Sequence, residues 1–378
     1  MKRLLLITAG DFTHTGGIER YNTILFNILK KYYVNYSIDV ILTGYDTSNE
    51  VNQDVKVVYS RKVNVKKNKL VYFTCLFIDV LKIRNFVKKH QSEYDLILDA
   101  SRIGFPSAHN LNNYYLIQHF DVFRFYLGES NNKFNISIFF TRIIRKILRN
   151  SNFLKLTKNI IVFDKNTKEV IKTRYPEMNV IVISLPSFIP PISITTIKNG
   201  EKREKIIFLG RLSQQKNIPV LMKLNDSLNL IDFYGKADGR DGENYRKILV
   251  SNGWYKGIIN GSQELIKKLS NYKFMILYSL YEGFPFSLVE SLSQGLPIIV
   301  KDTFLSAQYL CNKKTGLLLP KNTSIEEDIS LIQQFLKISQ TDYFNLQLNC
   351  VNFYNQNLSI QNFENKWLAI FDKYLERK

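Results

Sequence analysis

The sequence has few cysteines and no long apolar run. Cys75, Cys311 and Cys350 are scattered over 378 residues, without the close spacing of a metal site or a disulfide framework. A reducing compartment such as the cytoplasm is therefore predicted. No segment approaches the run of about eighteen uninterrupted apolar residues that a membrane-spanning helix requires, since even segment 70–80 is broken by polar residues. We therefore expect a soluble or peripheral protein.

Acidic residues are also fewer than basic residues. The chain has 52 Lys and Arg against 33 Asp and Glu, a formal net charge of +19, and residues 1–190 alone hold 28 basic against 15 acidic residues. This imbalance predicts an anionic partner for the first half of the chain. Nucleic acid, an anionic membrane surface and a pyrophosphate-linked substrate all remain open on charge alone.

The length allows two sizeable hydrophobic cores, and short Ile/Val/Leu runs alternate with longer helical patterns. This alternation is typical of parallel βαβ units, so an α/β fold with two Rossmann-like, doubly wound parallel-sheet domains is predicted. The predicted boundaries are 1–190 for the first domain, 191–204 for a linker, 205–357 for the second domain, and 358–378 for a terminal helix. Predicted strands are 2–9, 36–43, 55–60, 94–100, 114–119, 159–163 and 179–185, then 205–209, 230–234, 255–259, 273–279, 297–301 and 316–319. Predicted helices are 18–33, 69–90, 136–150, 166–175, 217–228, 243–251, 262–271 and 285–294.

Two glutamates lie eight positions apart around a strand-to-helix turn. Glu282 follows the apolar run 273–279, and Glu290 lies in the predicted helix that Gly295 ends. Glu282 thus precedes a helix N-terminus, where free N–H groups attract phosphate. One carboxylate can hydrogen-bond to a sugar and the other to a nucleoside.

A basic loop follows the first predicted strand of the second domain. Segment 208–217, FLGRLSQQKN, places Arg211 and Lys216 at the carboxyl edge of the second sheet, where ligands bind in open α/β sheets. Arg211 can contact a phosphate through two N–H groups, and Lys216 supplies a point charge. Together they can neutralise a departing diphosphate.

The first domain contributes a glycine loop and a histidine. Gly16 and Gly17 allow close backbone approach ahead of the first helix, although the loop lacks the G-x-G-x-x-G pattern of dinucleotide-binding domains. His119 ends a predicted strand and is expected to point toward an inter-domain cleft. Asp11 and His14 are weaker candidates for the acceptor side.

These motifs resemble those of the family-4 retaining glycosyltransferases, which have the GT-B fold. The segment from Glu282 to Glu290 resembles the E-x7-E signature, the Arg211 loop resembles a Gly-Arg-Leu…Lys-Gly motif in which Asn217 replaces the last glycine, and Thr315 begins a Thr-Gly-Leu-Leu strand. The loop after 230–234 resembles a Gly-x-Gly-Pro-type segment near the base, from which Ala237 and Asp238 depart.

The resemblance implies a set of site residues. Glu282, His119, Arg211 and Lys216 would be catalytic, with His119 beside the donor sugar. The donor-binding residues would be Gly16, Gly17, Arg211, Lys216, Phe284, Pro285, Phe286, Ser287, Leu288 and Glu290. No cofactor or metal is implied, and the sequence contains no Asp-x-Asp metal motif.

Segment 133–158 holds seven basic residues and no acidic one. Within it, the predicted helix 136–150 has apolar residues on one face and basic residues on the other. Such a helix either lies on an anionic membrane or packs its apolar face into the first domain. The basic cluster at 61–69 favours a lipid surface.

The expected function is that of a retaining, metal-independent hexosyltransferase. It would use a nucleotide diphosphate sugar, with UDP preferred, and a lipid-linked saccharide acceptor, in surface polysaccharide or lipopolysaccharide synthesis at the inner face of the cytoplasmic membrane. Two alternatives from other classes remain: a catalytically silent sugar-nucleotide-binding subunit and a basic nucleic-acid-binding protein. A nearer alternative is an epimerase or an inverting transferase on the same fold, which product stereochemistry would distinguish. No nucleic-acid motif accompanies the charge, so no nucleic-acid partner is expected.

Overall fold

A computed structural model describes residues 1–8, 17–42, 56–59, 81–83, 85–100, 111–119, 158–197 and 203–378. The predicted basic helix 136–150, the cluster 61–69, and Asp11, His14 and Gly16 lie outside the described residues. The chain divides into two compact units. Unit 1 comprises Met1–Ile183 and Glu364–Lys378, and unit 2 comprises Ser184–Phe363.

Unit 1 contains a seven-stranded parallel sheet. Its strands are β1 (Lys2–Thr8), β3 (Tyr36–Leu42), β4 (Lys56–Tyr59), β5 (Leu96–Ala100), β6 (Tyr114–Ile117), β7 (Asn159–Val162) and β8 (Asn179–Val182). The short strand β2 (Tyr33–Val34) lies outside this sheet. The sheet order is β4-β3-β1-β5-β6-β7-β8. Residues 4–7 of β1 are all buried, because strands of such a sheet are covered on both faces. Its described helices include α1 (Gly17–Tyr32) and α2 (Lys165–Arg174).

Unit 2 contains a six-stranded parallel sheet. Its strands are β9 (Ile206–Leu209), β10 (Ile231–Tyr234), β11 (Tyr255–Gly257), β12 (Phe274–Leu277), β13 (Ile298–Lys301) and β14 (Gly316–Leu319). Its helices up to Asn357 are α3 (Ile218–Leu228), α4 (Gly239–Ser251), α5 (Ser262–Leu269), α6 (Phe286–Ser293), α7 (Leu305–Leu310), α8 (Ile325–Leu336) and α9 (Gln340–Asn357). The order β11-β10-β9-β12-β13-β14 is that of a doubly wound sheet.

The predicted fold class is confirmed, and most predicted elements in the described ranges shift by only a few residues at their ends. Three helices, α7, α8 and α9, are missing from the predicted set. Among the predicted helices, α4 begins at Gly239 rather than at residue 243. Glycines in the sequence favour a loop there, but Gly242 is needed inside the helix because a Cβ would collide with the Leu212 carbonyl. Close packing at residue 242 therefore requires a glycine inside the helix, although glycine disfavours helices.

The last residues of the chain pack with unit 1. Helix α10 (Ile360–Phe371) is followed by β15 (Glu376–Arg377), which pairs antiparallel with β2. Trp367 is fully buried, and the Tyr33 hydroxyl donates to Asp372 Oδ1 at 2.8 Å. The terminal segment thus belongs to the core of unit 1.

No helix within the described ranges is both long enough and apolar enough to cross a membrane.

Candidate functional site

The centre of the unit 2 sheet is a topological switch point. Strand β9 pairs with β10 on one side and with β12 on the other. In doubly wound sheets ligands bind outside the carboxyl ends of the strands where the order reverses. The segments that leave β9 and β12 here are 210–217 and 278–285, which contain both basic candidates and Glu282.

Three hydrogen bonds join these two segments. The Leu280 N–H donates to the Gln215 carbonyl at 2.8 Å, and Gln215 Nε2 donates to the Tyr281 carbonyl at 3.0 Å. Lys216 Nζ donates to Glu282 Oε1 at 2.6 Å. The structure therefore brings together two predicted site residues that are 66 positions apart.

The Lys216–Glu282 ion pair is largely shielded from solvent. The two side chains are only 11% and 10% exposed. Losing one partner of such a buried pair costs about 3–5 kcal/mol, because the remaining charge is left without compensation. The lysine stem packs closely against the loop backbone, since a Cβ on Gly210 would lie 3.3 Å from Phe208 Cζ and 3.4 Å from Lys216 Cε.

Asn217 occupies the position at which the expected motif has its last glycine. It follows the 3-10 turn Gln214–Lys216 and has φ of 55° and ψ of 42°, in the left-handed region. Glycine adopts this conformation without steric cost, and asparagine is among the residues that visit it most readily. The turn geometry is therefore kept without the glycine.

Arg211 lies in the same loop but is open to solvent. Its Nη1 donates to Asp238 Oδ2 at 2.6 Å and its Nη2 donates to Gln215 Oε1 at 3.3 Å. The Arg211 side chain is 59% exposed. The guanidinium thus retains access to a solvent-borne anion.

The segment from Glu282 to Glu290 forms a loop and a short buried helix. Pro285 is extended and is the N-cap residue of α6, so the helix begins one residue after its predicted start. Phe284, Leu288 and Glu290 are buried, and Phe286 and Ser287 are half-buried. Glu290 is only 4% exposed, so its carboxylate lies within the unit rather than on an open helix face.

The end of α6 follows the predicted pattern. Gly295 has φ of 64°, its N–H donates to the Leu292 carbonyl at 3.1 Å, and the Leu296 N–H donates to the Ser291 carbonyl at 2.9 Å. This pair of bonds is the Schellman motif that ends helices at glycine. The Gly283 carbonyl, ahead of the helix, accepts a 3.0 Å bond from the Ser306 hydroxyl.

A second buried ion pair supports this side of the sheet. Lys301 Nζ donates to Asp328 Oδ2 at 2.6 Å and to Thr323 Oγ1 at 2.7 Å. The Tyr278 hydroxyl also donates to Asp328. Burial, and then this hydrogen bond, raise the pKa of Tyr278, so it remains a neutral donor. No motif in the sequence indicates this network, because its members are far apart in the chain.

In unit 1, His119 follows the carboxyl end of β6. Its ring packs edge-on against Tyr21 at 4.7 Å and against Phe163 at 5.3 Å between ring centroids. Gly17 begins α1. The histidine is therefore held by aromatic neighbours at the carboxyl edge of its own sheet.

Residues 194–346 match the family model described as Glycosyl transferases group 1. A curated relative, the UDP-N-acetylglucosamine–peptide N-acetylglucosaminyltransferase GtfA subunit of Streptococcus pneumoniae serotype 4, is 28% identical over 142 residues. That match covers 36% of this chain and only 28% of the relative's length.

Two solved structures resemble the whole chain. Sucrose-phosphate synthase from Thermosynechococcus elongatus has a TM-score of 0.71 at 16% identity and covers 99% of both chains. WaaG, a glycosyltransferase involved in lipopolysaccharide biosynthesis, has a TM-score of 0.65 at 13% identity and covers 98% of this chain and 99% of its own. The chain thus has the fold of two Rossmann-like parallel-sheet units seen in GT-B glycosyltransferases, and its unit 2 contains the matched group 1 segment.

Proposed function

We propose that this protein is a retaining glycosyltransferase that moves a hexose from a nucleotide diphosphate sugar to a hydroxyl of a lipid-linked saccharide. A UDP-sugar is the preferred donor, because the curated relative is named for UDP-N-acetylglucosamine. Surface polysaccharide or lipopolysaccharide synthesis is the proposed setting, and the likeness to WaaG supports it. A lipid-linked acceptor would place the protein at the inner face of the cytoplasmic membrane.

The contact between Lys216 and Glu282 carries this proposal. A lysine and a carboxylate meet at 2.6 Å at the switch point of the unit 2 sheet, within the segment that matches group 1 glycosyltransferases. A nucleotide sugar presents both a diphosphate and a polyhydroxylated ring. Lys216 suits the diphosphate, and Glu282 suits the sugar hydroxyls.

The proposed chemistry breaks the bond between the anomeric carbon and the diphosphate oxygen, whose electron pair leaves with the nucleotide. The acceptor oxygen forms the new bond on the same face of the sugar, and its proton passes to the departing diphosphate. Arg211 and Lys216 offset the charge that develops on the leaving group, where the transition state gains most from electrostatic help. Glu282 orients the donor hexose and Glu290 the ribose.

The remaining site residues have the roles that the family resemblance implies. His119 would lie beside the donor sugar. Gly16, Gly17 and residues 284–288 would contact the donor, and Asp11 and His14 would border the acceptor. The two cations make metal independence the expectation, which is tested by comparing transfer with and without a chelator.

A screen of nucleotide sugars tests the proposal. The full chain is incubated with UDP-, GDP- and ADP-hexoses, and the measurements are protection against thermal unfolding and release of free nucleotide. We expect one donor to stabilise the protein by mass action and to be consumed, with the anomeric configuration retained in the product. Binding without any turnover, including with lipid-linked acceptors, would instead favour the silent subunit, and binding of no donor would refute the proposal.

A further inference from the structure

Arg211 and Asp238 form the exposed counterpart of the buried Lys216–Glu282 pair. Arg211 Nη1 lies 2.6 Å from Asp238 Oδ2, and the two side chains are 59% and 47% exposed. Because water reaches both groups, another anion can replace the carboxylate without a large desolvation cost. The pair is therefore exchangeable, whereas Lys216 and Glu282 are enclosed.

The backbone holds Asp238 beside this loop. The pairing of β9 with β10 continues past the strand ends through a bridge between Leu212 and Ala237, and the Asp238 N–H donates to the Leu212 carbonyl at 3.1 Å. Gly235, with φ of 146°, allows this approach, because a Cβ there would collide with the Gly210 carbonyl. The position of the carboxylate is thus set by the loop pairing.

The Asp238 side chain does not form the capping hydrogen bond that its position at the start of α4 favours. It is the N-cap residue of α4, yet its side chain makes no capping hydrogen bond. An aspartate at this position usually accepts from the N–H groups of the first helical turn. Here the carboxylate is directed at the guanidinium of Arg211 instead.

We propose that Asp238 is an internal competitor of the nucleotide diphosphate for Arg211. This inference rests on the proposed function, which assigns Arg211 to the diphosphate. A carboxylate and a phosphate are alternative partners for the same guanidinium N–H groups. Binding of the nucleotide exchanges one for the other, and Asp238 recaptures Arg211 when the product leaves, which weakens product binding and speeds its release.

Asp241 provides a matched control. It lies on the same helix three residues later and also contacts the basic loop, since Gln214 Nε2 donates to its Oδ2 at 2.9 Å. Its partner is a neutral amide, so removing its charge frees no cation. The proposal depends on a carboxylate that contacts a cation, which holds for Asp238 and not for Asp241.

The test is titration calorimetry of the full chain with UDP and with inorganic pyrophosphate at fixed salt. Asp238→Asn should bind both about two- to fivefold more tightly than wild type, as expected for release of an exposed ion pair. Asp241→Asn should change affinity less. In an Arg211→Ala background, Asp238→Asn should lose its effect, a dependence that a merely structural role of Asp238 would not produce.

Unchanged or weaker binding by Asp238→Asn, with wild type still binding, overturns the inference and leaves the proposed function intact. An equal gain in affinity from Asp241→Asn also overturns the inference, because the gain would then come from the loss of any nearby negative charge. If wild type binds neither UDP nor pyrophosphate, this inference fails, while the proposed function is decided separately by the screen of UDP-, GDP- and ADP-hexoses. Thermal unfolding of each variant confirms that the proteins compared are folded.

Discussion

Each parallel sheet has a hydrogen-bonded group of one cation, one aspartate and one tyrosine toward the amino ends of its strands. In unit 1, Asp39 of β3 accepts from Arg3 Nη2 at 2.7 Å and from the Tyr94 hydroxyl at 2.9 Å. Arg3 lies at the start of β1, and Tyr94 lies two residues before β5.

Unit 2 repeats this arrangement with different residues. Asp232 of β10 accepts from Lys205 Nζ at 3.2 Å and from the Tyr272 hydroxyl at 2.9 Å. Lys205 immediately precedes β9, and Tyr272 lies two residues before β12. In both units a cation, an aspartate and a tyrosine join the three strands around the point where the strand order reverses.

The ion pairs beyond the carboxyl ends of β9, β10 and β12 differ from these networks. Lys216–Glu282 and Arg211–Asp238 join loops rather than strands, at the edge where open α/β sheets bind ligands. An arrangement that recurs in both units at the amino ends serves the fold that the units share. The carboxyl-edge pairs of unit 2 are therefore the better candidates for function.

The largest expected effect is on sugar transfer, where two lysines of unit 2 should behave differently. Lys216→Met should lower sugar transfer by about 10²- to 10³-fold, because one source of charge stabilisation for the leaving group is lost. Lys205→Met, which removes the amino-edge cation, should leave transfer near the wild-type level. The measurement is the rate of nucleotide release from the donor found in the screen, and similar losses in both variants would break the distinction between the two edges.

A glutamine variant tests the other partner of the pair, Glu282, with a smaller structural change. Glu282→Gln keeps an oxygen that can accept from Lys216 Nζ but removes the carboxylate charge, so the buried contact persists in part. We expect sharply reduced transfer with circular dichroism like that of wild type. Full activity would contradict the role of the Glu282 carboxylate in orienting the donor.

A smaller effect, on stability, should follow from removing either amino-edge aspartate. Asp39→Ala leaves the buried Tyr94 hydroxyl without this acceptor and should cost about 1–3 kcal/mol in the free energy of unfolding. Asp232→Ala should cost less, because the Tyr272 hydroxyl also lies 3.1 Å from the Tyr234 hydroxyl, which can take the place of the lost partner. Denaturant titration measures both, and UDP affinity serves as the control that should not change.

The smallest effect concerns the terminal segment of unit 1. Asp372 accepts from Arg377 Nε at 2.6 Å and from the Tyr33 hydroxyl. The hydrogen bond from Arg377 is the largest cause of the lowered pKa of Asp372. A lowered pKa stabilises the folded state above the unfolded-state value and loses this effect as the pH falls through the folded-state pKa.

The difference in stability between wild type and Asp372→Asn should therefore be present at neutral pH and shrink below about pH 4, near the unfolded-state value for aspartate. Thermal unfolding across this range measures it. A difference that grows with acidity would contradict the sign of the argument.

Local patterns in the sequence predicted much of this architecture. The apolar runs predicted the strands of both sheets within a few residues, because strands covered on both faces must be apolar throughout. Gly295 predicted the end of α6, since a left-handed residue after a helix favours glycine. The E-x7-E spacing and the loop 208–217 placed Glu282 and Lys216 at strand ends on the same edge of one sheet.

The partners of those residues depended on tertiary structure. Glu282 meets Lys216 across 66 positions, and Asp238 meets Arg211 across 27. No periodicity or propensity encodes such a pairing, because it arises only when strand order brings separate loops to one edge. The sequence by itself determined the strands, the helix ends and the charged side chains available at that edge. The sheet order decided which carboxylate neutralises which cation, and burial decided that one ion pair is enclosed while the other stays open to exchange.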